Sequence, residues 1–170
     1  MLQRVGKIMV GKDAKPLIYD DVEVGEELPT IEMVSNQELQ GRLLVALQDD
    51  NPWYHRESPW GGPIVHHAML DDFPMCAVLQ HYQWPFGSVH AKQETEFFNP
   101  ILLGKRVTVT SKIVEKYIRR GKQYIGMESL VVSEDGTPIL KSKIIEMVGD
   151  ERVREAAKSG LKHVPPPPSS

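Results

Sequence analysis

Two short runs carry the side chains that could do chemistry. In Asp49-Asp50-Asn51-Pro52-Trp53-Tyr54-His55, two carboxylates, a phenol and an imidazole share a turn-rich loop. Shortly after it, Gly61-Gly62-Pro63-Ile64-Val65-His66-His67 adds two more imidazoles where a helix is expected to begin. Imidazoles exchange protons near neutral pH, and the first N–H groups of a helix have no partner inside it. Together such groups suit proton transfer at a carbonyl or thioester whose oxygen gains negative charge. Each residue also has a structural reading. Asp49 and Asp50 can end a helix, and Tyr54 can pack and hydrogen-bond through its hydroxyl. His55 can be a surface residue, and His66 and His67 can be satisfied core histidines. Trp53 and Trp60 read as pocket walls.

The elements that must position these runs follow from pattern. Ser35 and Glu38 form a capping-box pattern, and Leu39, Leu43, Ala46 and Leu47 follow at helical spacing. That helix is predicted to stop at Asp49-Asp50-Asn51-Pro52. A second helix is predicted from Pro63 to about Gln83, with Pro63 at the first position and Ile64, Ala68, Cys76, Val78 and Leu79 on its buried face. Pro74 is predicted to kink or split it. Four strands are predicted over 89–98, 106–117, 122–133 and 139–148. Arg120-Gly121-Lys122 and Glu134-Asp135-Gly136-Thr137 are turn signals between them. The four read as an antiparallel meander. Residues 1–16 read as a loose arm, 17–150 as one domain, and 151–170 as a short helix over 151–161 and a Pro-rich flexible tail.

The bulk properties narrow the class. A formal charge of −3 argues against a general nucleic-acid binder. Cys76, the only cysteine, has no disulfide partner in the chain and sits in an apolar stretch, so it reads as a packed thiol. No run approaches the roughly 18 apolar residues of a membrane span, and charged residues interrupt the N-terminus where a signal core would lie. A soluble cytoplasmic protein without membrane contact is expected. The six histidines lack a zinc-type spacing, so no metal is expected, and no phosphate-binding Gly-x-Gly-x-x-Gly is present.

The motifs resemble the MaoC-like, (R)-specific enoyl-CoA hydratase family over roughly residues 20 to 148. That family reads Asp-x-Asn-Pro-x-His in the loop, then Gly/Pro-Ile-x-His-Gly-Met. Here Asn51-Pro52 and Pro63-Ile64-Val65-His66 match, and Phe97-Phe98-Asn99-Pro100-Ile101 with Gly104 is similar to the family's later Phe-x-x-Pro-Val strand. Counting from Asn51, the family's aspartate falls on Asp49 and its histidine on Tyr54. Counting by the Asp-to-His spacing, the pair is Asp50 and His55. His67-Ala68 replaces the single Gly before Met69.

The resemblance implies an α+β hot-dog fold, a curved antiparallel sheet wrapped around a central helix. It implies a hydro-lyase acting reversibly on a 2-enoyl or 3-hydroxyacyl thioester, by acid–base chemistry of Asp49, Asp50, Tyr54 and His55. Gly62, Ile64, His66 and His67 would form the oxyanion and substrate site. No cofactor is implied beyond the CoA or phosphopantetheine that carries the substrate. A homodimer is implied, or a heteromer in which this chain is the non-catalytic hot-dog subunit. A thioesterase is a third reading. Lys116, Arg119, Arg120 and Lys122 form a basic hairpin tip, either a solvated turn or a contact for carrier phosphates. Trp53, Trp60, Phe73, Trp84 and Phe86 would allow a bulky acyl group.

Overall fold

The computed structural model describes residues 10–149 except Phe86. The short helix expected over 151–161, the tail beyond it, the first part of the arm and Phe86 lie outside the described residues. In chain order the elements are β1 (Lys15–Pro16), a 3-10 turn (Tyr19–Asp21), β2 (Glu27–Val34), α1 (Gln37–Leu47) and α2 (Pro52–His55). Then come α3 (His67–Leu79), β3 (Tyr82–Gln83), β4 (Val89–Phe97), β5 (Arg106–Arg119), β6 (Lys122–Ser133) and β7 (Pro138–Val148).

The long strands form an antiparallel sheet in the order β2-β5-β6-β7-β4. Only β5-β6-β7 is a meander. The segment before it, β4, pairs with β7 rather than β5, and β2 takes the place beside β5. At the β5–β6 turn, Arg120 and Gly121 both hold positive φ, 51° and 70°, the backbone a two-residue hairpin needs to match strand twist.

The expected sheet wrapped around a central helix is corrected here. The protein has an antiparallel sheet with a helix packed near it, and among the described residues no sheet is strongly curled. Closure would bring the edges together, but β2 and β4 are separated by three strands and stay unpaired with each other.

Packing on α3 explains the core. Met69, Leu70 and Phe73 join Val107, Val109, Val131 and Leu140 in one cluster at the N-terminal end of the helix. Val78 joins Leu17, Tyr82, Ile113, Ile125, Met127, Ile144 and Val148 in a second at its C-terminal end. Between the clusters, β5, β6 and β7 place the buried Ser111, Ser129 and Ser142 in register. Ser111 and Ser129 share a 2.7 Å hydroxyl contact, and Ser142 meets Thr95 of β4 at 2.9 Å. The hydroxyls satisfy one another, which makes their burial tolerable.

Three local expectations change. Asn36, not Ser35, caps α1 by accepting the N–H groups of Glu38 and Leu39; Ser35 turns away to accept the Gly104 N–H. The buried stripe of α1 is Gln40 and Leu44 with Leu39 and Leu43 beside them, while Leu47 stands half exposed. Helix α3 starts at His67 rather than Pro63, and Pro74 lies inside it without splitting it. Pro74 is buried, so its packing against the core offsets the missing N–H. The start of the described chain is also held. Gly11 donates to the Leu79 carbonyl, and a Cβ at Gly11 would sit 2.0 Å from the Gln80 carbonyl oxygen.

Candidate active site

Helix α1 ends when Gln48 adopts a left-handed conformation, φ 55°, which swings the chain into the Asp49 loop. Asp49 then folds back, its Oδ1 accepting the Asn51 N–H at 2.9 Å. Asn51 caps the single turn of α2 by accepting the Trp53 N–H, with Pro52 in the first turn. Successive helical residues point about 100° apart. That divergence turns Tyr54 inward, where its ring centroid lies 4.6 Å from that of His66, and leaves His55 outside.

His66 is the N-cap of α3. Its Nδ1 accepts the Ala68 N–H at 3.1 Å, and its Nε2 lies 3.3 Å from Asp49 Oδ2. Since Nδ1 accepts, the neutral ring carries its proton on Nε2 and donates it to Asp49. The ring is 3% exposed, whereas the Asp49 side chain is 30% exposed. Burial, followed by the neighbouring His67, pushes the His66 pKa down, and the Asp49 carboxylate opposes this. Burial and then the Asp49 charge push the Tyr54 pKa up. At neutral pH the site therefore presents a neutral imidazole behind a partly exposed carboxylate, with a phenol that keeps its proton.

The structure brings together Asp49, Tyr54, His66 and His67, with the His66 and His67 rings stacked at 4.2 Å. It leaves Asp50 and His55 out. Asp50 is exposed, and His55 Nε2 meets the backbone carbonyl of Asp49 at 3.0 Å rather than either carboxylate. The register counted from Asn51 is the one that converges. Gly62 and Ile64 frame the site through the backbone: the Gly62 carbonyl accepts from Ser58, and the Ile64 N–H goes to Trp53. Ile64 also lines a recess of about 390 Å³ with Trp60, Leu102 and Lys105. In the first turn of α3, His66 takes the N–H groups of Ala68, Met69 and Leu70. The His67 N–H is the first-turn donor left over among the described residues.

One residue of the site had no chemical signature in the sequence. Gln40, 1% exposed, donates to the carbonyls of Tyr54 and Ile64 and accepts the His66 N–H. The available signal was an amide inside the apolar stripe of α1. The Cys76 thiol is pushed up to about 11 by burial and then Asp72, which removes its nucleophilic form at neutral pH. At the basic hairpin, Lys116 is occupied by the Val22 carbonyl and the Tyr19 ring. The hairpin lies beyond the cluster at the C-terminal end of α3, the far end from His66.

No known family model matches the sequence, and no curated protein matches it. Solved structures do match. The unliganded R-hydratase PhaJ1 from Pseudomonas aeruginosa gives a TM-score of 0.65 at 19% identity, over 78% of this chain and 86% of that one. The chain shares that fold. The MaoC-like dehydratase from Rhodospirillum rubrum gives 0.63 at 15%, over 79% and 99%. The ChsH1-ChsH2 complex from Mycobacterium tuberculosis gives 0.60 at 12%, over 75% and 98%. No helix among the described residues is long and apolar enough to cross a membrane.

Proposed function

We propose that this chain is a hydro-lyase that reversibly hydrates the double bond of a 2-enoyl thioester carried by CoA or a carrier protein. The observation that carries the reading is the Asp49–His66 pair, a partly exposed carboxylate backed by a buried imidazole at a helix start. Asp49 takes a proton from water as the oxygen adds to Cβ, and the electron pair of the double bond moves onto the thioester oxygen. The enolate oxygen is held by the His67 N–H and the Tyr54 hydroxyl. Protonated Asp49 then returns the proton to Cα, so the addition balances without a second acid. His66 touches solvent too little to meet substrate itself. It orients the carboxylate through Nε2–H and limits its freedom to turn.

A second reading has one specific support: Tyr54 stands where the resembled motif has histidine. This chain would then complete a site in a heteromer with a second chain of similar fold, the kind of assembly that the ChsH1-ChsH2 complex represents by its name. In the first reading the chain acts as a homodimer. Loss of enoyl absorbance on adding the purified chain to 2-enoyl-CoA esters, abolished by Asp49→Asn, supports the hydro-lyase. Release of free thiol instead indicates a thioesterase. Turnover appearing only with a co-purified second chain supports the heteromer.

A further inference from the structure

We infer that Gln40 is the positioning residue that sets the separation of Asp49 and His66, an inference that rests on that pair being the site. One buried side-chain amide holds three backbone groups from two segments remote in sequence. Its Nε2 donates to the Tyr54 carbonyl at 2.8 Å and the Ile64 carbonyl at 3.0 Å, and its Oε1 accepts the His66 N–H at 2.9 Å. These partners fix the amide's orientation. A flip would set Oε1 against two carbonyl oxygens and the amide N–H groups against another N–H. Glutamate could not substitute at neutral pH for the same reason.

The consequence is geometric. Helix α1 carries Gln40 in its first half and delivers Asp49 just past its end, where the Asp49 N–H bonds the Leu44 carbonyl at 3.0 Å. His66 is hung by its backbone from Gln40 and by its ring Nδ1 from the Ala68 N–H. Asp49 and the backbone of His66 are therefore both referenced to one rigid helix. Tyr54, whose ring lies against His66, hangs from the same amide through its carbonyl. An apolar side chain of equal length would fill the space but leave the part-buried Tyr54 carbonyl, the buried Ile64 carbonyl and the buried His66 N–H without the partner that Gln40 supplies.

The test is ¹⁵N NMR of the His66 ring in the wild type, Gln40→Met and Leu44→Ala, without substrate. In the wild type the ring is protonated at Nε2 and titrates below an ordinary histidine. Gln40→Met is expected to lose that tautomer preference and to push the His66 pKa further down, because the Asp49 carboxylate that raises it moves away. Leu44→Ala, a cavity in the same helix, lowers the melting temperature and leaves the His66 titration in place. An unchanged His66 titration in folded Gln40→Met overturns the inference, as does an equal shift in Leu44→Ala. Should Gln40→Met not fold, hydrogen exchange of the Gln40 side-chain amide in the wild type decides. Exchange about a hundredfold slower than that of an exposed glutamine supports the role, and exchange at the exposed rate overturns it. With an active wild type, Gln40→Met lowers kcat about a hundredfold with KM changed less than about threefold, because a misplacement near 1 Å costs that much. A wild type that hydrates no thioester sinks the hydro-lyase reading while the ring signals still judge Gln40.

Discussion

Among the described residues the protein holds two histidine–carboxylate pairs, and they are built inside out relative to each other. In Asp49–His66 the imidazole is 3% exposed and the carboxylate 30%. In His90–Glu146, across the β4–β7 seam, the carboxylate is 1% exposed and the imidazole 36%, at 2.6 Å. Burial acts on whichever partner is enclosed. It pushes His66 down towards its neutral form and pushes Glu146 up, His90 partly offsetting the second shift. The group left facing solvent is thus the carboxylate in the first pair. In the second, His90 Nε2 is already engaged by Gln93 Oε1 at 3.0 Å, and one Glu146 oxygen is buried without a partner among the described residues. The second pair sits beside the bulge of β4 and ties that edge strand to the sheet. Residue types alone would rank the two pairs together; exposure separates them.

The largest break in that comparison should come from Asp49→Asn, which keeps the shape of the loop and removes the base. Turnover of 2-enoyl thioesters should fall about a thousandfold, within the usual range for a lost acid–base group. A rate within threefold of the wild type would remove Asp49 from the chemistry. His90→Ala should do the reverse, leaving kcat intact while stranding the Glu146 carboxylate. Urea unfolding should show a loss of about 1–3 kcal/mol, the cost of an unsatisfied buried group.

The pH dependence of stability should carry opposite signs at the two pairs. His66 has a folded pKa below its unfolded value of about 6.5. Its contribution is whole above that value and lost as the pH falls through the folded one. Glu146 has a folded pKa above its unfolded value of about 4.3. Its contribution is whole below that value and lost as the pH rises through the folded one. Urea midpoints across mildly acidic to neutral pH should show Glu146→Gln gaining on the wild type as the pH rises, and equal slopes would refute the burial argument. The smallest effect belongs to His55→Ala, which removes an exposed ring bonded to a backbone carbonyl. Turnover should change by less than about threefold, and a loss near that of Asp49→Asn would return His55 to the site.

Much of the secondary structure was readable because its signals are local. Val107 and Val109 alternate with Thr108 and Thr110, and the structure buries those valines in β5. The hairpin turns fell where Gly121 and Gly136 relieve positive φ. Strand order was not readable, since β4 and β5 are equally good strands and nothing local says that β4 crosses to β7. The start of α3 is not local either. Pro63 suits a first helical position, but Ile64 is drawn into a bridge with Leu102 and the Val65 N–H into a bond with Ile101. Those partners lie far along the chain.

By itself the sequence determined the types of the two long helices and the four later strands, though not β2 or α2, together with the chemical groups available and the loop that carries Asp49, because propensity, capping and turn chemistry act over a few residues. Only the tertiary structure decided that the Asp49 carboxylate meets His66 while its backbone carbonyl meets His55, and that Gln40 spans the gap between α1 and the start of α3. It also decided which member of each histidine–carboxylate pair faces water. Those outcomes depend on burial and on hydrogen bonds between segments far apart in the chain, where desolvation sets which protonation state survives.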